Sequence, residues 1–162
     1  MISSGSVSFD ELEADSLEAH LASSGTLTID EVRGKSSVFT TRGSGNIMCG
    51  TGTIDKVEAL AYSSSDIRLQ CTVGIATAAS RGSGDVHIGR VTQSLAPYAY
   101  SSGDVEVSTE DGCSVQQSKN GSGSVRIKKV AVRRQHKEFA LQPQSPCFDD
   151  KFELPPPPYS AE

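Results

Sequence analysis

Three side chains near the middle of the chain could transfer protons. Asp85, His87 and Glu106 offer two carboxylates and an imidazole, the groups that act as general acids and bases in polysaccharide-cleaving enzymes. Catalysis would require them to meet in a cleft that shifts their pKa values, and nothing in the surrounding sequence indicates such a cleft. The sequence contains neither a nucleophile elbow nor a phosphate loop. We therefore predict no catalytic residues, with a carbohydrate-active β-helix enzyme as the alternative.

Four polar residues could instead bind a metal ion. Each follows a turn of small residues: Asn46, Asp66, Asp85 and Asp104. Calcium-binding β-rolls also carry rows of carboxylates, but their motif repeats about every nine residues with two glycines in fixed places. Aspartate and asparagine are favoured beside turns because they bond to local backbone groups, which is the interpretation that we prefer.

The cysteines show no pattern typical of a metal site either. The chain has no CxxC pair, and no histidine stands close to a cysteine in the sequence. Three of the four fall at positions that we expect to point inward as free thiols: Cys49, Cys71 and Cys113. We predict no metal and no other cofactor.

These residues are positioned by a repeat. A motif of small residues, best seen as Arg-Gly-Ser-Gly-Asp-Val-His-Ile at 81–88, returns at steps of 20, 20, 20, 19, 19 and 20 residues. Its third small residue forms the series Gly5, Gly25, Gly45, Ser65, Gly84, Gly103 and Gly123. Such a period predicts a solenoid, in which each repeat buries its apolar face against its neighbours.

An alternating strand pattern follows each turn. Its first apolar column is Val7, Leu27, Ile47, Ile67, Val86, Val105 and Val125, and its second is Phe9, Ile29, Cys49, Leu69, Ile88, Val107 and Ile127. A weaker strand follows about ten residues later, and a helix over 12–22 is an alternative that the repeat register disfavours. We predict an all-β fold: a right-handed, single-stranded parallel β-helix with about 20 residues per repeat, spanning 1–137.

The turns also alternate in kind. Arginine precedes one type and tyrosine the other, in the order Arg42, Tyr62, Arg81 and Tyr100. With a coil of about 20 residues these four side chains form a surface ladder with cation–π contacts. With a coil of about 40 residues the two arginines would be neighbours about 4.8 Å apart and would repel by roughly 1 kcal/mol. The shorter coil is therefore favoured.

The C-terminal part differs in composition. Residues 126–137 include six basic and no acidic side chains, which is typical of a charged coil that protects a sheet edge.

Residues 138–162 are rich in proline and acidic residues, and we predict a disordered tail. It contains Pro156, Pro157 and Tyr159 in a PPxY motif, the ligand of WW domains. A WW-domain protein is thus a candidate partner, against the alternative of a tail that binds nothing.

Overall charge and hydropathy limit the other partners. The net charge of −5 gives no reason to expect nucleic-acid binding, which requires a basic surface. No apolar run approaches the ~20 residues that a membrane span requires. No signal peptide is visible, so we expect a cytoplasmic location if the chain is complete, and otherwise leave the compartment open.

The Gly-Ser-Gly-Asp/Asn-Ile/Val units at 43–47 and 82–86 resemble the head domain of auto-transporter adhesins, the GIN domain, over about residues 3–130. The resemblance implies a right-handed β-helix and a surface or adhesive role. We accordingly predict a non-enzymatic, adhesion-like binding scaffold with a C-terminal recruitment tail. A scaffold that polymerises end to end is a further alternative, because a first coil without a neighbour offers an open edge.

Overall fold

The computed structural model describes residues 4–131 as a single parallel β-sheet wound into a solenoid of about six turns. Its strands are β1 (Ser6–Leu21), β2 (Thr26–Gly43), β3 (Asn46–Ser63), β4 (Ile67–Ser80), β5 (Val86–Ala99), β6 (Val105–Glu110), β7 (Ser114–Val115), β8 (Ser118–Lys119) and β9 (Val125–Val130). They pair in the order β1-β2-β3-β4-β5-β6-β9, while β7 and β8 pair with β5. The predicted parallel β-solenoid is confirmed, and its right-handedness stays a prediction.

The pairing register settles the length of a coil. Ser6 pairs with Thr26 and Leu27 pairs with Ile47, so each residue lies beside its equivalent one repeat later. A coil is therefore about 20 residues long, and the coil of about 40 residues is excluded. The helical alternative for 12–22 is wrong, because this segment pairs with β2 as part of β1 and directs Leu12 and Leu17 towards the core.

The predicted apolar columns form the centre of the core. In β2 to β6 both columns are buried, with residues such as Ile67, Val86 and Ile88 fully enclosed. In the second half of the coils Phe39, Ala59 and Ala78 stack in register and are also fully enclosed. Stacking of equivalent apolar side chains between parallel strands thus builds the core.

A further interior column escaped the sequence analysis. Ile54, Val73 and Val91 pair in succession between the two predicted strand segments and are completely buried. The register shifts by one residue just before them, between Cys49 and Thr53 and again in the next coil. These irregularities break the alternation from which the other columns were recognised.

The cysteines follow the prediction in part. Cys49 and Cys71 are buried free thiols, and burial raises their pKa values to about 12 and about 11. They remain protonated at neutral pH and pack as small apolar groups. Cys113 is also free but only partly buried, because it lies in the turn after β6. Cys147 lies outside the described residues.

Within the described part, no helix is long and apolar enough to span a membrane. The predicted division into a solenoid at 1–137 and a tail at 138–162 falls beyond the described residues and stays a prediction.

Candidate functional site

The predicted Arg/Tyr series lies along one edge of the solenoid. Arg42 and Tyr62 are neighbours in the register of β2 and β3, and the Arg42 Cζ atom lies 5.5 Å from the centroid of the Tyr62 ring. The Arg81 Cζ atom lies 5.7 Å from the Tyr62 centroid and 5.1 Å from that of Tyr100. Each guanidinium therefore neighbours an aromatic ring, and such contacts contribute about 0.5–1 kcal/mol each at exposed sites.

A fifth residue, the aromatic Tyr98, extends this surface. The Tyr98 and Tyr100 rings are stacked, with centroids 6.0 Å apart and planes 9° from parallel. Sequence analysis missed Tyr98, although residues two apart in a strand point to the same face and would have indicated it. We use the name ladder face for Arg42, Tyr62, Arg81, Tyr98 and Tyr100.

Small residues bring the coils close enough for this stacking. At Gly84 a Cβ atom would overlap the carbonyl oxygen of Ser65 in the preceding coil, and at Gly103 it would overlap that of Gly84. The repeated glycines are thus required by close backbone approach between coils. Ser65 is the exception in this column, and Ser63 just before it adopts a positive φ of 67°.

Ser65 also supports the ladder face directly. Its hydroxyl is completely buried, donates to the carbonyl oxygen of Tyr62 at 3.0 Å, and lies 2.5 Å from Thr41 Oγ1. These contacts fix the backbone of Tyr62 at the start of the turn.

The column of Asp and Asn lies just beyond the turns, and it joins consecutive coils. Asn46 Oδ1 accepts from the backbone N–H of Asp66 at 3.2 Å, and Asp66 Oδ1 accepts from that of Asp85 at 3.0 Å. The series continues through Asp85 and Asp104 to the N–H of Ser124, at 2.8 and 2.7 Å. The prediction of bonds to the local turn is wrong, because each oxygen reaches the next coil.

Few oxygens of this column remain available to bind a cation. Arg68 pairs with the second oxygen of Asp66 at 3.6 Å, and Arg126 pairs with that of Asp104 at the same distance. Within residues 4–131 no three or more His, Cys, Asp or Glu side chains form a group that could hold a metal ion. The column is best understood as a structural seam between coils.

Two of the three candidate proton-transfer residues, His87 and Glu106, are neighbours on the next outward column, while Asp85 belongs to the seam. His87 pairs with Glu106 in register, and Lys128 donates a hydrogen bond to the Glu106 carboxylate. That bond, together with the nearby positive charges, lowers the pKa of Glu106. A general acid in glycoside cleavage needs a raised pKa, so the environment of Glu106 does not suit that role.

The predicted partner-binding residues of the tail, Pro156, Pro157 and Tyr159, lie outside the described residues. The WW-domain prediction therefore rests on the motif alone.

The comparisons with known proteins agree with the fold. No curated protein and no solved structure matches the chain. Residues 1–110 match the family described as "putative auto-transporter adhesin, head GIN domain", which is more than half of the chain. The repeated turns, the parallel coils and this match together show that the chain belongs to the GIN-domain family of adhesin head domains.

Proposed function

We propose that the protein is a non-enzymatic adhesion scaffold whose ladder face binds an extended glycan. Family membership and the β-solenoid fit an adhesion-like scaffold in general terms. The observation that carries the more specific proposal is the continuous contact from Arg42 through Tyr62 and Arg81 to Tyr100. It offers aromatic rings and guanidinium groups at regular intervals on a rigid support.

Rigidity makes this surface suitable for a repetitive ligand. Neighbouring coils lie about 4.8 Å apart, so the ladder presents its groups at a constant spacing. Each side chain is already held by its neighbours, and little conformational entropy remains to be lost when a ligand binds. Tyr100 is 41% exposed, and both arginines are exposed, so a ligand can reach them without rearrangement of the coils.

A glycan array tests this proposal with single substitutions. We expect the full-length protein to bind a subset of immobilised glycans and Arg81→Ala to lose at least about tenfold in affinity, because Arg81 contacts both tyrosines. Arg68→Ala is the matched control, since Arg68 is equally outward-facing but lies outside the ladder face. Equal binding by the two variants, or an array without any bound glycan, would refute the proposal.

We also propose that the tail recruits a WW-domain protein. Consecutive prolines favour a polyproline II helix, which docks on an aromatic groove at low entropic cost, and Tyr159 would provide the anchor. In a pull-down with a purified WW domain, Tyr159→Ala should abolish capture and the control Leu154→Ala should retain it. Capture that persists after Tyr159→Ala would refute this part without affecting the ladder face.

A further inference from the structure

We propose that copies of this chain associate head to tail, with β9 in one copy pairing with β1 in the next through the edges that no strand within residues 4–131 covers. The proposal is independent of any glycan or WW-domain ligand. It rests on three features of the described residues: an apolar opening at β1, opposite charges on the two end strands, and a pairing register that places these charges together.

The first coil leaves part of the core uncovered. Within residues 4–131, β1 pairs only with β2, and its other edge has no neighbouring strand. An apolar cavity of about 330 Å³ opens there, lined by Val7, Phe9, Leu12 and Leu17 among others. Phe9 is 41% exposed, although its equivalents in the interior coils are buried. An unpaired strand beside uncovered apolar side chains is a template for another strand.

The two end strands carry opposite charge. β1 contains five acidic side chains and no lysine or arginine: Asp10, Glu11, Glu13, Asp15 and Glu18. β9 contains three basic side chains and no acidic one: Arg126, Lys128 and Lys129. Lysines on an exposed edge discourage indiscriminate pairing, so β9 should accept only a strand that offers carboxylates in return.

The register of the coils brings these charges opposite each other. β9 pairs with β6 through Val105↔Val125 and Val107↔Ile127, which continues the two apolar columns of the interior. If the same columns continue from β9 to β1 of the next copy, Val125 lies against Val7 and Ile127 lies against Phe9 of that copy.

This pairing register between β9 and β1 of the next copy also places Lys128 against Asp10 and Lys129 against Glu11. Opposite charges that face each other across neighbouring strands are stabilising, and like charges are destabilising. A head-to-head arrangement would instead bring two sets of five carboxylates together, which disfavours it. The head-to-tail contact uses different surfaces on the two copies, so it is open and predicts chains of variable length.

Sedimentation of the full-length protein and of variants with reversed charges on the end strands tests the proposal. At low salt we expect the average sedimentation coefficient to rise with protein concentration, and at high salt we expect this rise to disappear. The variant Lys128→Glu/Lys129→Glu and the variant Asp10→Lys/Glu11→Lys should each remain monomeric. Lys56→Glu/Arg68→Glu, an equal double reversal on the exposed surfaces of the interior strands β3 and β4, should associate as the unmodified protein does.

Mixing the two double variants provides the decisive measurement. At the positions that face each other in the contact, one variant is acidic at both ends and the other is basic at both ends, so their mixture should associate again in alternation. Only folded variants can restore association, which separates this result from simple misfolding. A monomer at every concentration, association insensitive to both reversals, or a mixture that stays monomeric would each overturn the proposal.

Discussion

The interior coils and the end coils contain the same apolar columns but bury them to different extents. Ile67 and Val86 in the interior are completely buried, whereas Phe9 in the first coil is 41% exposed and Val125 in the last is only partly covered. Residue type does not explain the difference, because all are large or β-branched. A strand in a solenoid is covered by the coils on both sides, and an end strand has only one.

The stability of the solenoid therefore comes from contacts between neighbouring coils rather than from interactions within single coils. An apolar side chain in an interior column contributes through both neighbours, while the same side chain at an end contributes through one.

Two phenylalanines provide the largest contrast. Phe39 is completely buried in β2, and Phe39→Ala should lower the free energy of unfolding by about 3–5 kcal/mol through lost burial and a residual cavity. Phe9→Ala at the exposed end should lower it by only about 1 kcal/mol. Urea unfolding of both variants measures the two values. Similar losses would show that the first coil is as well packed as the interior.

Two glycines at equivalent positions of the repeat give the next contrast. Gly84→Ala should lower the free energy of unfolding by about 1–3 kcal/mol, because its Cβ atom would overlap the carbonyl oxygen of Ser65. Gly5→Ala should have little effect, since no described coil precedes Gly5. Thermal unfolding followed by circular dichroism checks both, and a harmless Gly84→Ala would mean that the coils can move apart.

The seam of Asp and Asn residues predicts a smaller effect. Asp85→Ala removes the acceptor for the backbone N–H of Asp104 and should lower the free energy of unfolding by about 1 kcal/mol. Asp85→Asn should preserve most of the stability, because an amide oxygen already fills this role at Asn46. Urea unfolding distinguishes the variants. An equal loss for both would indicate that the carboxylate charge, rather than the acceptor, stabilises the seam.

The smallest expected effect is a pH dependence of stability from the ion pair between Glu106 of β6 and Lys128 of β9. The pKa of Glu106 is lowered mainly by its hydrogen bond to Lys128, so its contribution to stability is present above the ordinary pKa of 4.5 and is lost as pH falls through the lowered value. Because the pair is exposed, the effect should be slight. The difference in unfolding temperature between the unmodified protein and Glu106→Gln should therefore shrink in acid. A difference that grows in acid would contradict this assignment.

Much of the fold was predictable because its dominant interactions repeat. The spacing from Gly25 to Gly45 already implies the coil length, and the alternation around Ile67 and Leu69 implies which side chains point inward. The order of Arg42, Tyr62 and Arg81 likewise implied that unlike side chains would become neighbours in a short coil. In each case a local period translates directly into a stacked column.

Other features depend on how the coils meet. The column of Ile54, Val73 and Val91 follows irregularities in pairing that leave no period in the sequence. The partner of each Asp or Asn oxygen lies 19 or 20 residues away, and only the stacked backbone shows that it belongs to the next coil.

The sequence by itself therefore determined the all-β solenoid, its coil of about 20 residues and its main interior columns, because alternation and repetition are properties of the chain alone. Only the tertiary structure decided which polar atoms join the coils and which apolar side chains remain uncovered at β1. Those outcomes depend on distances between segments far apart in the sequence, and burial is a property of neighbours rather than of residue type.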